Sequence, residues 1–166
     1  MQAVIDLKVN VFKVLEDHMS IKDFETWLFA SRDFSGFMED PFVLAVHSFN
    51  YKQPDAKYEF RKVIYQFLDE DEFVLWKVKA NLADLAADRN DMRRMLNDFQ
   101  ELANNGYTFL QRIANYLTQM EEIDYFRNNP EGLLIELRNE SEILLRGIER
   151  QEREKAGFRL KDYRAG

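Results

Sequence analysis

From Val4 to Met19 the apolar positions Val4, Leu7, Val11 and Val14 or Leu15 recur at steps of three and four, the spacing of one helix face. Leu7, Val9 and Val11 also alternate as a strand would; the segment is read as helix. Ser20-Ile-Lys-Asp then opens a second helix. The Ser20 hydroxyl can accept an unpaired amide hydrogen, Asp23 suits the positive helix end, and Phe24, Trp27 and Leu28 follow. Gly36 breaks the stretch between Ser31 and Asp40, which carries Phe34, Phe37 and Met38 and reads as a turn. Pro41 fits a first helical position, so a short helix is expected to Phe49.

Asn50 to Asp55, with Pro54, is a loop. Asp55 is placed as the cap of a helix whose Tyr58, Phe60, Ile64, Phe67 and Leu68 spread around most of its circumference, the pattern of a central helix. Asp69 or Asp71 caps the next, where Val74, Val78, Leu82 and Leu85 repeat. Asn90 likewise precedes Met92, Met95, Leu96, Phe99, Leu102 and Ala103, a clean stripe that Gly106 ends. A helix from Tyr107 to about Glu122 aligns Leu110, Ile113, Leu117 and Met120. Asn129-Pro130-Glu131 reads as a cap, a first-turn proline and a dipole-matched acid before Leu133, Leu134, Leu137, Leu144, Leu145 and Ile148. No strand pair and no fixed-period repeat is found. The expectation is an all-α bundle of about six to eight helices, some short, forming one domain over residues 1–155. Beyond Arg146 six Arg or Lys face four acids, and residues 156–166 are expected to fray.

Composition supports an independently folding core. Hydrophobic residues make up 46% of the 166-residue chain, with 14 Phe, 7 Tyr and 2 Trp, enough apolar material to offset the entropy of ordering. Cysteine is absent, which removes disulfides, thiolate nucleophiles and Cys-based zinc sites and favours a reducing compartment, here the cytoplasm. Asp6, Lys8, Asn10 and Lys13 interrupt the apolar region an export signal would need. No apolar stretch approaches the roughly 20 residues of a membrane span; Phe42 to Val46 stops at His47.

The net charge of −7 is unevenly spread. Asp69-Glu70-Asp71-Glu72 is an unbroken acidic run, and Glu39-Asp40 and Glu121-Glu122-Asp124 are shorter ones. Such a surface repels phosphate backbones, which argues against nucleic acid and for a basic protein partner; the same acids also serve simply as a solubilising surface. The candidate partner-binding residues are Glu39, Asp40, Asp69, Glu70, Asp71 and Glu72.

Catalytic and metal chemistry finds little to work with. His18 and His47 stand apart and lack the Glu-x-x-His spacing of di-iron bundles, so His18 is read as decorating the end of the first helix and His47 as a core-edge ring. There is no Gly-x-Ser-x-Gly elbow, and every glycine stands singly, which rules out a phosphate-cradling loop. Glu136 and Glu140 share a helix face with Arg138 and Arg146 nearby, as surface acids commonly do. Neither an enzyme nor a cofactor or metal site is expected. Trp27, Phe29, Phe34, Phe37, Phe42, Phe49 and Tyr51 crowd the first third of the chain. Most should be core, while any left exposed among acids would form an interaction hot spot.

Ser20-Ile-Lys-Asp-Phe-Glu-Thr-Trp-Leu-Phe, then Phe42-Val-Leu-Ala-Val-His-Ser-Phe-Asn-Tyr, then Ala56-Lys-Tyr-Glu-Phe-Arg-Lys-Val-Ile resemble small helical bacterial immunity proteins. In that family a Phe-Glu-x-Trp-Leu helix precedes a short Leu-rich helix ending in a Phe-x-Tyr-like motif and a Lys-Tyr-rich helix. The resemblance covers roughly the first half. Further on, Asn105-Gly-Tyr-Thr-Phe-Leu is similar to a family Gly-Tyr-x-Phe-Leu before the tails diverge. The resemblance implies an inhibitor encoded beside an antibacterial toxin, often a basic nuclease, and carries over no contact residues. The alternative is a helical adaptor, such as the dimerisation module of a regulator; genetic context separates the two.

Overall fold

The computed structural model describes residues 2–126 and 130–165, and of 123–126 only the backbone. The elements are α1 (Gln2–Leu15), α2 (Ile21–Ala30), α3 (Pro41–Ser48), α4 (Ala56–Ile64), α5 (Glu70–Ala86), α6 (Met92–Asn104), α7 (Gln111–Ala114), α8 (Tyr116–Phe126) and α9 (Glu131–Glu154). Short 3-10 turns stand at Thr108–Leu110 and Leu160–Asp162. The fold is all-α, with no strand among the described residues. None of the described helices is long and apolar enough to cross a membrane.

Side-chain caps account for several helix starts. Ser20 Oγ accepts the Asp23 N–H at 3.0 Å. Asp40 Oδ1 accepts the Phe42 N–H at 2.8 Å ahead of Pro41, and Asp69 Oδ1 accepts the Asp71 N–H at 3.1 Å. Two expected caps differ. Asp55 precedes α4 but sits at φ 54° with no capping bond, because a carboxylate reaches the N2 and N3 amides from extended rather than left-handed backbone. At α6 the cap is Asp91, whose side chain accepts the Arg94 N–H, whereas Asn90 adopts φ 64° and gives its amide to Asp84. Asn129 lies outside the described residues, and α9 begins one residue after Pro130. The single helix expected from Tyr107 is instead a 3-10 turn followed by α7 and α8, which Asn115 separates.

The chain packs as two compact units, Met1–Trp76 and Lys77–Gly166, with the boundary inside α5. A boundary in a continuous helix leaves no Pro, Gly or Ser-rich linker to read.

The first unit is built on Leu7, Val11, Val14 and Leu15 of α1, Phe24 and Leu28 of α2, Val43 and Val46 of α3, and Phe60 and Ile64 of α4, all essentially inaccessible. Aromatic rings fill its centre, Phe60 lying 5.4 Å from Phe24 and 5.3 Å from Phe49 between centroids. The Arg61 guanidinium donates to the Leu15 carbonyl at 2.7 Å and so ties α4 to the end of α1. Helix α4 is not apolar all round: Tyr58 is 61% exposed, and Phe67 lies beyond the helix in a turn.

The second unit buries Leu82 and Val78 of α5, Met95, Leu96 and Phe99 of α6, Leu110, Ile113 of α7, and Leu137 and Ile148 of α9. Its C-terminal segment, expected to fray, is docked. Leu160 is fully buried and Tyr163 nearly so. The Gln151 side chain donates to the Arg164 carbonyl at 2.6 Å and accepts the Arg164 N–H at 3.4 Å. Two apolar anchors and a doubly bonded backbone outweigh the charge of the intervening residues.

Candidate functional site

The acidic run stands at the start of α5, where local physics already uses much of it. Asp69 caps the helix, and Glu70, Asp71 and Glu72 occupy its first turn, where negative charge complements the helix dipole. Glu72 reaches back to Lys8 of α1 in an ion pair of 3.1 Å. Glu70 is exposed and forms no ion pair among the described residues. The second acidic segment behaves similarly, since Asp40 is spent on capping α3 while Glu39 is exposed.

One contact brings these segments together. The rings of Phe42 and Phe67 lie 6.1 Å apart. Phe42 stands two residues after Asp40, and Phe67 two residues before Asp69. The two acidic segments therefore flank a single aromatic pair, of which Phe67 is 41% exposed. Leu44, two residues further along α3, is 47% exposed. Phe67 is the member of this pair that sequence reasoning did not single out: helical periodicity placed it within α4, and only its closeness to Asp69 hinted otherwise.

A second exposed ring, Phe29 at 59%, lies 6.1 Å from Tyr51 and 6.2 Å from His47, both edge-on. His47 Nδ1 is 2.9 Å from the Val43 carbonyl, so the ring is the satisfied core-edge histidine the sequence indicates. The Tyr51 hydroxyl donates to the Val46 carbonyl at 2.7 Å, and burial followed by the nearby Glu25 carboxylate pushes its pKa well above the usual tyrosine value. Asp124 of the third acidic cluster has its side chain outside the described residues.

Charge is divided between the units as well. Residues 1–76 hold 14 acids against 8 bases, and residues 77–166 hold 16 against 15, so −6 of the net −7 belongs to the first unit. What this arrangement offers chemically is a partly exposed aromatic pair whose residues neighbour both acidic segments in sequence, on the more acidic half of the chain. Comparison with protein-family models, with curated proteins and with solved structures finds no match.

Proposed function

We propose that the chain is an immunity-type inhibitor that binds and neutralises a cognate antibacterial toxin, a basic nuclease domain, through the acidic aromatic surface of its first unit. The observation that carries this reading is the Phe42 and Phe67 contact with Glu39, Asp40, Asp69 and Glu70 on either side. Aromatic anchors supply most of an interface's binding energy when a polar rim excludes water around them. Carboxylates in that rim speed the capture of a basic partner and disfavour others, as an inhibitor acting in the producing cell's cytoplasm requires. Inhibition of this kind needs no catalytic group on the inhibitor. The resemblance of the first half to immunity proteins points the same way.

The test is expression of the neighbouring gene's product with and without this chain. Growth arrest by that product, relieved by the chain, together with a co-purifying complex, is the expected result. A neighbouring product that is harmless, or one that is toxic yet unrelieved, overturns the reading; self-association of the chain without such a complex favours the dimerisation module.

A further inference from the structure

In the second unit, apart from the acidic surface, a cleft of about 280 Å³ opens beside α9. Its apolar lining includes Ile143 and Leu144 of α9, Phe109 and Ile113, and Tyr163 of the docked C-terminal segment. The Phe109 and Tyr163 rings, 5.0 Å apart, make the aromatic end. Ile143 is 71% exposed, an apolar side chain at the cleft with little protein covering it. Sites for small molecules run from roughly 300 to 1,000 Å³, so this cleft is sized for a single ring or a short alkyl chain.

The mouth carries one charged pair. Arg112 donates to Glu140 Oε1 at 2.8 Å, and its side chain is 82% exposed whereas that of Glu140 is 25% exposed. The charge an arriving molecule meets is thus the guanidinium, whose planar fork keeps N–H groups free after one bond to Glu140 and matches a carboxylate. Glu140 also lines the cleft, and its Oε2 is buried without a hydrogen-bond partner among the described residues, so an anionic head must sit on the solvent-facing side of the guanidinium, away from that oxygen. An apolar floor with an arginine at the rim selects a molecule with an apolar body and an anionic head.

We propose that this cleft binds a small carboxylic acid with an aromatic or short alkyl body, the body lying against Ile113, Leu144 and Tyr163 and the carboxylate at Arg112. The inference is independent of toxin inhibition, which rests on the first unit. Because Tyr163 is a wall of the cleft, occupation also holds the C-terminal segment in its docked position.

4-Phenylbutyrate and its uncharged amide are suitable probes, titrated into the ¹⁵N-labelled full chain while amide shifts are followed. The acid should saturate with a Kd of about 0.1–1 mM, the range for a ligand of a dozen heavy atoms, shifting residues 109–113, 140–144 and 163–165. The amide should bind about tenfold more weakly, one charge-assisted bidentate contact being lost. Arg112→Gln should lower the acid's affinity to that of the amide and leave the amide's unchanged. Ile143→Glu, at an exposed position that keeps the fold, should abolish binding of the acid. Equal affinity for acid and amide, unchanged binding to Ile143→Glu, or no saturable shift up to 10-fold above the expected Kd overturns the proposal.

Discussion

A β-carbon on Gly147 would stand 2.8 Å from the Tyr163 hydroxyl and 3.5 Å from two of its ring carbons. The missing side chain in the middle of α9 is therefore what allows the C-terminal segment to lie against that helix. A glycine inside a helix costs about 1 kcal/mol relative to alanine, a cost here offset by burying Tyr163.

Gly147→Ala sets these effects against each other. The helix gains up to about 1 kcal/mol in propensity, while Tyr163 must give way. Overall stability in urea should change by well under about 1 kcal/mol, and the Arg164 amide should exchange faster as its bonds to Gln151 loosen. A full propensity gain with unchanged protection at Arg164 would show that the ring accommodates the methyl freely.

Much of the secondary structure was legible because its signals are local. The Ser20 to Asp23 cap spans four residues, and the α6 stripe ending at Gly106, observed at φ 110°, needs no knowledge of the rest of the chain. Docking of the C-terminal segment was not legible, since Leu160 and Tyr163 stand among charged residues and the backbone of Arg164 is held by Gln151, a polar residue on another element. The candidate site was half legible. Its acids are visible as runs, but the contact that gathers them joins Phe42 to Phe67 across 25 positions. Nor does residue type distinguish an aspartate that caps from one that waits for a partner; at Asp40 the backbone amides of Phe42 and Val43 decide it.

That dual role of Asp40 can be taken apart. Asparagine caps helices about as well as aspartate, whereas alanine costs about 1 kcal/mol. Asp40→Asn should retain stability within about 0.5 kcal/mol and Asp40→Ala should lose about 1 kcal/mol in chemical denaturation. If both variants are equally destabilised, the charge rather than the cap holds the start of α3.

Alkaline pH should reveal Tyr116. Burial first, then the adjacent Glu140 carboxylate, push its pKa up from 10.0 to about 12. The native state keeps the phenol proton when the unfolded chain has begun to lose it, so the associated stability is fully present below pH 10 and is lost as pH rises from 10 towards 12. Tyr116→Phe cannot ionise, and its stability profile should fall less steeply across that window. Parallel profiles for the two proteins would place the alkaline sensitivity elsewhere.

The surface proposed to bind a toxin yields a prediction that separates steering from anchoring. Glu72 is unsuited to the purpose because its removal would also break the pair with Lys8. Glu39 and Glu70 are exposed and engaged in no described ion pair, so Glu39→Gln with Glu70→Gln removes two charges without touching a cap. If these acids act at long range, association with the neighbouring gene's product should slow about tenfold at low salt and lose part of its salt dependence, while dissociation stays nearly constant. Phe67→Ala should do the reverse, raising the dissociation rate by about tenfold or more as an anchor is truncated, with little change in association. Stopped-flow mixing over a range of salt concentrations resolves both rates. If charge removal leaves association unchanged and Phe67→Ala leaves dissociation unchanged, the contact surface is not the one framed by Phe42 and Phe67, and Phe29 with its flanking His47 and Tyr51 rings becomes the next surface to substitute.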